Sequence, residues 1–276
     1  MRSPALLLLA VSLTAVAQAP QADPPGGKPL PWDTISIHET DPAHLDDLYG
    51  HDVPNGISEH ALSLDFLISE AYTFSIFPAK DLIEGLPKWA AEKHYDVEAR
   101  VAPEDIAAYK KLTGLSIPDT VKAFQAHQYT GEMLMNQALL AERFHLKVHT
   151  EMREKNVFLL TPVKGGVKMK LAADPANGAL AFARGSMSGK GVPLSFIGSM
   201  FSMPAGGIVV DKSGDLAQYD FQLKYAPMDT DPTAAGASNE ADLFTAIQEQ
   251  LGLKLSRGKA EVPVLVIDHI EPPSDN

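Results

Sequence analysis

The sequence predicts an α+β fold built from an internally duplicated α-β-β-α-β-β unit, with antiparallel sheets covered by helices. Three observations predict it. Leu139–Leu160 (LLAERFHLKVHTEMREKNVFLL) aligns without a gap on Ala246–Ile267 (AIQEQLGLKLSRGKAEVPVLVI), 107 residues further on. Identities fall at Glu142/Glu249, Leu146/Leu253, Lys147/Lys254, Glu154/Glu261 and Val157/Val264. Upstream, Tyr95-Asp96-Val97 matches Tyr219-Asp220-Phe221, and Ser63–Leu67 (SLDFL) matches Pro193–Ile197 (PLSFI). Matched segments that recur in one order mark a repeated structural unit. Period-two segments beside segments at helical spacing point to hairpins covered by helices.

The elements follow in order. Residues 1–17 read as a secretory signal: Arg2 is the positive start, Ala5–Ala17 the apolar run, and Ala15-Val16-Ala17 the small-x-small cleavage site. Cleavage is placed after Ala17, because a cut after Ala19 would leave Pro20 at the scissile bond. The apolar run is shorter than the roughly 20 residues a spanning helix needs. Residues 18–31 are Pro/Gly-rich and read as a linker. A first repeat is expected over 32–166 and a second over 185–271, packed against it.

In the first repeat, Trp32–Glu39 alternates as a strand and residues 40–60 read as loop. Leu62–Tyr72 has helical spacing with Ser63 as N-cap. Ile83–Trp89 is a short extended segment, and Tyr95–Val101 alternates as a strand. Pro103-Glu104-Asp105 opens a helix, and Thr130–Phe144 is an amphipathic helix. Leu146–Met152 and Val157–Val163 are expected to pair as a hairpin turning at Arg153–Asn156. In the second repeat, helix Leu194–Phe201 precedes extended Ile208–Val210 and strand Tyr219–Tyr225. The acidic stretch 226–237 reads as loop. Helix Asp242–Leu251 leads into a closing hairpin of Lys254–Ser256 with Val262–Ile270.

Composition bounds the partners. A formal charge of −12 disfavours nucleic acid and anionic membrane surfaces. The absence of cysteine removes any disulfide framework, so packing alone must hold the fold. No second segment is apolar and long enough to span a membrane, so none is expected in the mature protein.

Catalytic signatures fail one by one. No HExxH occurs, and Gly185-Ser186-Met187-Ser188-Gly189 carries Met where a hydrolase elbow needs its nucleophile. Ser256-Arg257-Gly258-Lys259 matches the S-x-x-K spacing, but the Ser does not open a helix that would bring Lys to its hydroxyl. No catalytic residue, metal ligand set or cofactor is assigned. The densest polar cluster is His145, Lys147, His149, Glu151 and Arg153, on one strand face by alternation. Leu146, Val148 and Met152 are expected on the opposite, buried face. His149, Glu151 and Arg153 are the candidate binding residues, with Trp89 as an aromatic platform or a core anchor. Asp268-His269 with Glu271 reads as an exposed strand end.

The chain also resembles a large uncharacterised secreted family expanded in soil acidobacteria. The resemblance rests on Leu64–Tyr72, Gly85–Trp89, Tyr95-Asp96-Val97, Leu139–Leu160 with its His149-x-Glu151-x-Arg153-Glu154 core, and Lys164-Gly165-Gly166. It continues through Val210-Asp211-Lys212, Tyr219-Asp220-Phe221, Leu243–Leu255 and the ending Val266–Asn276. Ser213-Gly214-Asp215 stands where that family usually has a Thr-Gly turn. Some relatives carry this region on a membrane-bound peptidase of the antibiotic-sensing antirepressor type. The resemblance therefore implies an extracytoplasmic sensing or binding role.

The expected function is a secreted or periplasmic non-enzymatic module binding a small molecule, peptide or envelope component. The groove between the two repeats is its expected site, since pockets favour interfaces between structural units. Two alternatives stand beside it: a hydrolase using the His149/Glu151 face, and a structural or interaction protein of the cell envelope.

Overall fold

Two long antiparallel strands run through the centre of the molecule and feed a hydrophobic core at each end. The structure, a computed structural model, describes residues 23–45, 49–75, 80–227 and 240–273. The expected signal segment 1–17, the linker up to residue 22, most of the acidic loop and residues 274–276 lie outside the described residues. The fold is α+β, with antiparallel sheets interspersed with helices.

Along the chain the strands are β1 (Thr34–Glu39), β2 (Tyr49–Val53), β3 (Gly56–Ser63), β4 (Ile83–Glu84), β5 (His94–Arg100) and β6 (Lys147–Pro162). They continue as β7 (Lys170–Leu171), β8 (Ala179–Ala183), β9 (Ser186–Pro193), β10 (Val209–Asp211), β11 (Gln218–Lys224) and β12 (Leu253–His269). The helices are α1 (Leu64–Tyr72), α2 (Lys88–Glu92), α3 (Ile106–Thr113), α4 (Ile117–Gln125), α5 (Gly131–Phe144), α6 (Leu194–Met200), α7 (Ser202–Ala205) and α8 (Leu243–Ala246). A π-helical turn, Ile247–Leu251, extends α8.

Three four-stranded sheets result, ordered β1-β5-β3-β2, β7-β11-β9-β8 and β10-β6-β12-β4. The last joins the two halves of the chain. Strands β6 and β12 pair antiparallel from Leu253↔Pro162 to Ile267↔Val148. Short β4 from the first half lies parallel to β12 from the second, and short β10 from the second lies parallel to β6 from the first.

The expected hairpins within 146–163 and 254–270 are therefore corrected to single strands. Arg153–Asn156 contains no Gly or Pro to reverse the chain. Its polarity marks where β6 crosses between two cores. At one end Val148 packs with Leu265, Ile267, Leu140, Phe144 and Tyr95. At the other, Leu160 packs with Leu253, Leu255, Ile197 and Phe201. Met152, expected to be buried, lies in this crossing and is 58% exposed.

Helix α5 is built as its sequence requires. Thr130 Oγ1 caps it by accepting the Met133 amide at 3.2 Å. The helix stops at His145, in left-handed conformation at φ 51°. Its inner face buries Met135, Leu139, Leu140 and Phe144, and Phe144 meets Tyr95 edge-to-face at 5.3 Å. Burying one such aromatic contributes about 1.5–3 kcal/mol.

Two further departures matter for the site. Residues 49–63, expected as loop up to residue 60 and as helix from Leu62, form the β2–β3 hairpin, turning at Pro54-Asn55. Gly56 follows because a Cβ there would lie 1.9 Å from the Ala99 carbonyl oxygen. Helix α4 was not anticipated. Ser116 caps it, accepting the Asp119 amide at 3.2 Å, with Pro118 in its first turn.

Candidate functional site

The expected polar strip exists, but as a chain of ion pairs. His149 lies between two carboxylates: Nδ1 is 2.9 Å from Asp268 Oδ2 and Nε2 is 2.8 Å from Glu151 Oε1. Arg153 Nη2 reaches Glu151 Oε2 at 2.5 Å, and Lys155 binds Glu84 on β4. A bulge between Ile267 and His269 leaves Asp268 without a partner on β6, beside His149. The hydrogen bond to Glu151, then that to Asp268, pushes the His149 pKa above its ordinary value. The same bond from His149, with Arg153 beside it, pulls the Glu151 carboxyl down.

This strip is largely exposed, and His149, Glu151 and Arg153 line neither of the two cavities described below. A carboxylate on each ring nitrogen favours the protonated ring and leaves neither nitrogen free to take a proton from a nucleophile. His145 caps α5 and points its Nδ1 toward Glu271 at 3.7 Å, while His269 donates to Glu271 at 2.8 Å. Lys147 is exposed opposite His269. Among the described residues, no three His, Asp or Glu side chains converge as a metal ligand set. Trp89, half-buried on α2, packs against the first core. It lines neither of the large cavities.

The larger cavity lies elsewhere, enclosing about 690 Å³ within the range of small-molecule clefts. Every described residue lining it falls between 53 and 140, so it sits wholly inside the first half and not in the groove between halves. Sheet β5-β3-β2 forms its floor, with Ile57, Glu59 and Val97. Helix α1 supplies Phe66, Leu67 and Glu70, α3 supplies Tyr109 and Lys110, α4 supplies Phe124, and α5 supplies Glu132, Met133 and Asn136.

Glu70 sets the electrostatics of this chamber. Protein surrounds its carboxyl while its surface opens to the water of the chamber. Desolvation first, then the charges of Glu59 and Glu132, push its pKa up to about 7. No hydrogen bond or ion pair from a described residue satisfies it. On the same wall, Asn136 Oδ1 is enclosed without a hydrogen-bond donor.

A second, more open cavity of about 660 Å³ does lie between the halves, bounded by Asp81, Lys155, Phe158, Ile208 and Arg257. Three of its lining residues are glycines, which leaves few side chains to hold a ligand.

Sequence reasoning missed the chamber because two of its walls, the β2–β3 hairpin and α4, were not anticipated. One signal was present. Glu70 follows Phe66 by four residues and Leu67 by three, so a charge lies on the apolar face of its own helix.

A family profile described as "Protein of unknown function (DUF3738)" matches residues 65–270. No curated protein and no solved structure matches the chain. No helix among the described residues is long and apolar enough to cross a membrane.

Proposed function

We propose that this chain, which belongs to the DUF3738 family of proteins of unknown function, is a non-enzymatic binding module whose ligand chamber lies in its first lobe. The observation that carries the reading is the 690 Å³ chamber, lined by apolar side chains around the unsatisfied Glu70 carboxyl. Convergent polar groups in an apolar cleft, one with a perturbed pKa, are the usual form of a small-molecule site. The hydrolase reading is weaker, since His149 has a carboxylate on each ring nitrogen.

The scaffold is read as an internal duplication. Sheet orders β1-β5-β3-β2 and β7-β11-β9-β8 correspond strand for strand, and each half lends a short strand to the other's long one. His145 and Gly252, also 107 residues apart, both end their helices in left-handed conformation. The signal-like start supports a secreted or periplasmic location, where small molecules, peptides and envelope components are the available partners.

The test is a cavity block. Leu115 lines the chamber from the α3–α4 connection, so Leu115→Trp fills it without touching the central sheet. A thermal-shift screen of small amphipathic molecules is expected to give hits for the parent protein that this variant loses. Hits that survive the block, or move only with changes at His149, would overturn the assignment.

A further inference from the structure

We infer that the chamber takes a small organic cation, a primary ammonium carried on an apolar body, with Glu70 as its counter-ion. The inference rests on the binding reading above and specifies its ligand class. The titratable groups lining the chamber are Glu70 from α1, Glu59 from β3, Glu132 from α5, and Tyr109 and Lys110 from α3. Among the described residues three of these are carboxylates and one is an ammonium, on the exposed Lys110. Flanked by protein and by two further carboxylates, the Glu70 carboxylate interacts more strongly with an opposite charge than it would in bulk solvent.

The unmet hydrogen bonds point the same way. The Glu70 carboxylate is an acceptor with no described partner, and an ammonium brings three donors and no acceptor. Asn136 Oδ1 is a second acceptor on the wall without a donor, reachable after rotation of a partly exposed side chain. Around these groups Ile57, Phe66, Leu67, Val97, Phe124 and Met133 offer apolar surface for the body of the ligand. An anionic ligand would meet three carboxylates. A neutral one would gain nothing from the Glu70 charge.

Protonation is linked to occupancy. Because the Glu70 pKa lies near 7, the empty chamber holds a partly protonated carboxyl at neutral pH. An entering ammonium favours the ionised form and expels that proton. The amine stays charged to about pH 10. Affinity therefore rises with pH while Glu70 ionises, by about tenfold from pH 6 to pH 8.

The experiment uses the intact protein and three probes with one body: 4-phenylbutylamine, 4-phenylbutanol and 4-phenylbutyrate, titrated calorimetrically. The amine is expected to bind at least tenfold tighter than the alcohol, with the acid weakest. At pH 6.5 the amine's heat is expected to depend on the buffer's ionisation enthalpy, as proton release requires. Glu70→Gln is isosteric and should abolish both the amine preference and the proton release; Glu132→Gln should reduce the preference by a smaller factor. Equal binding of amine and alcohol, both lost in Leu115→Trp, would overturn the cation assignment while leaving the chamber as a binding site. Tightest binding of the acid would also overturn it. Failure of all three probes to bind would overturn the assignment together with the binding reading.

Discussion

Glu154 and Glu261 stand directly opposite each other across the β6–β12 pair, and they are also 107 residues apart. That is the separation at which the two halves of the sequence align. The coincidence has a geometric cause. If the halves are copies related by a two-fold axis, a residue on that axis must face its own equivalent. Two like charges opposite each other are unfavourable, yet a residue paired with its own copy cannot choose a complementary partner. Lys259, bonded to Glu154 at 2.7 Å, offsets the repulsion from one side only. Its counterpart 107 residues earlier is the exposed Met152.

The helix stops before the long strands should respond unequally to substitution. Gly252 has φ +71°, and a Cβ there would lie 2.4 Å from the Gly166 carbonyl oxygen. Gly252→Ala should therefore destabilise the protein by roughly 2 kcal/mol or more, from left-handed strain and from the clash. His145 occupies the equivalent conformation with a side chain already present, so His145→Gly should be stabilising or neutral. Urea unfolding of both variants checks this. A neutral Gly252→Ala would contradict it.

A similar contrast holds ahead of helices α1 and α6. Ala61, at φ 56°, donates its amide to Asp96 at 3.1 Å, and Gly191, at φ 60°, donates to Asp220 at 2.9 Å. Both aspartates belong to the matched Tyr-Asp pairs. Ala61→Gly should raise stability by about 0.5–1 kcal/mol by relieving left-handed strain. Gly191→Ala should lower it, since its Cβ would lie 3.2 Å from the Pro175 carbonyl oxygen. Paired denaturation curves would reveal whether the signs are opposite.

Glu70 makes stability pH-dependent in a defined direction. Its folded pKa of about 7 lies above the ordinary carboxyl value of 4.5. The folded state thus holds this proton more tightly than the unfolded chain. The resulting stabilisation is complete below pH 4.5 and is lost as pH rises through about 7. Glu70→Gln should match the parent melting temperature in acid and exceed it at pH 8. A difference that does not grow with pH would refute this placement of the carboxyl.

His149 shifts stability in the same direction as Glu70, through a charged form that the fold favours. Its raised pKa means that its ion pairs are fully present below pH 6.5 and weaken as pH climbs past the folded value. NMR titration of the ring protons should give a midpoint above 6.5 that falls in Glu151→Gln and in Asp268→Asn. Unshifted midpoints in both variants would mean that the bridges do not persist in solution.

Which side chains share a strand face, where α1 and α5 begin and end, and which distant segments correspond were all legible in the residues. Each follows from local periodicity, capping chemistry or a repeated pattern. His149, Glu151 and Arg153 do share a strand face, as alternation required. Asp268, 119 residues from His149, could join them only after β12 paired with β6.

The chain by itself determined the α+β class, the capped ends of α5 and the correspondence of its matched segments, because these can be read from local periodicity, capping residues and a repeated pattern. Tertiary structure alone decided that two polar-centred segments run straight between two cores instead of turning back. It also decided that Glu70 faces a chamber, since that needs walls from a hairpin and four helices folded over one another. Burial and the fields it creates are properties of the assembled packing, and a string of residues does not carry them.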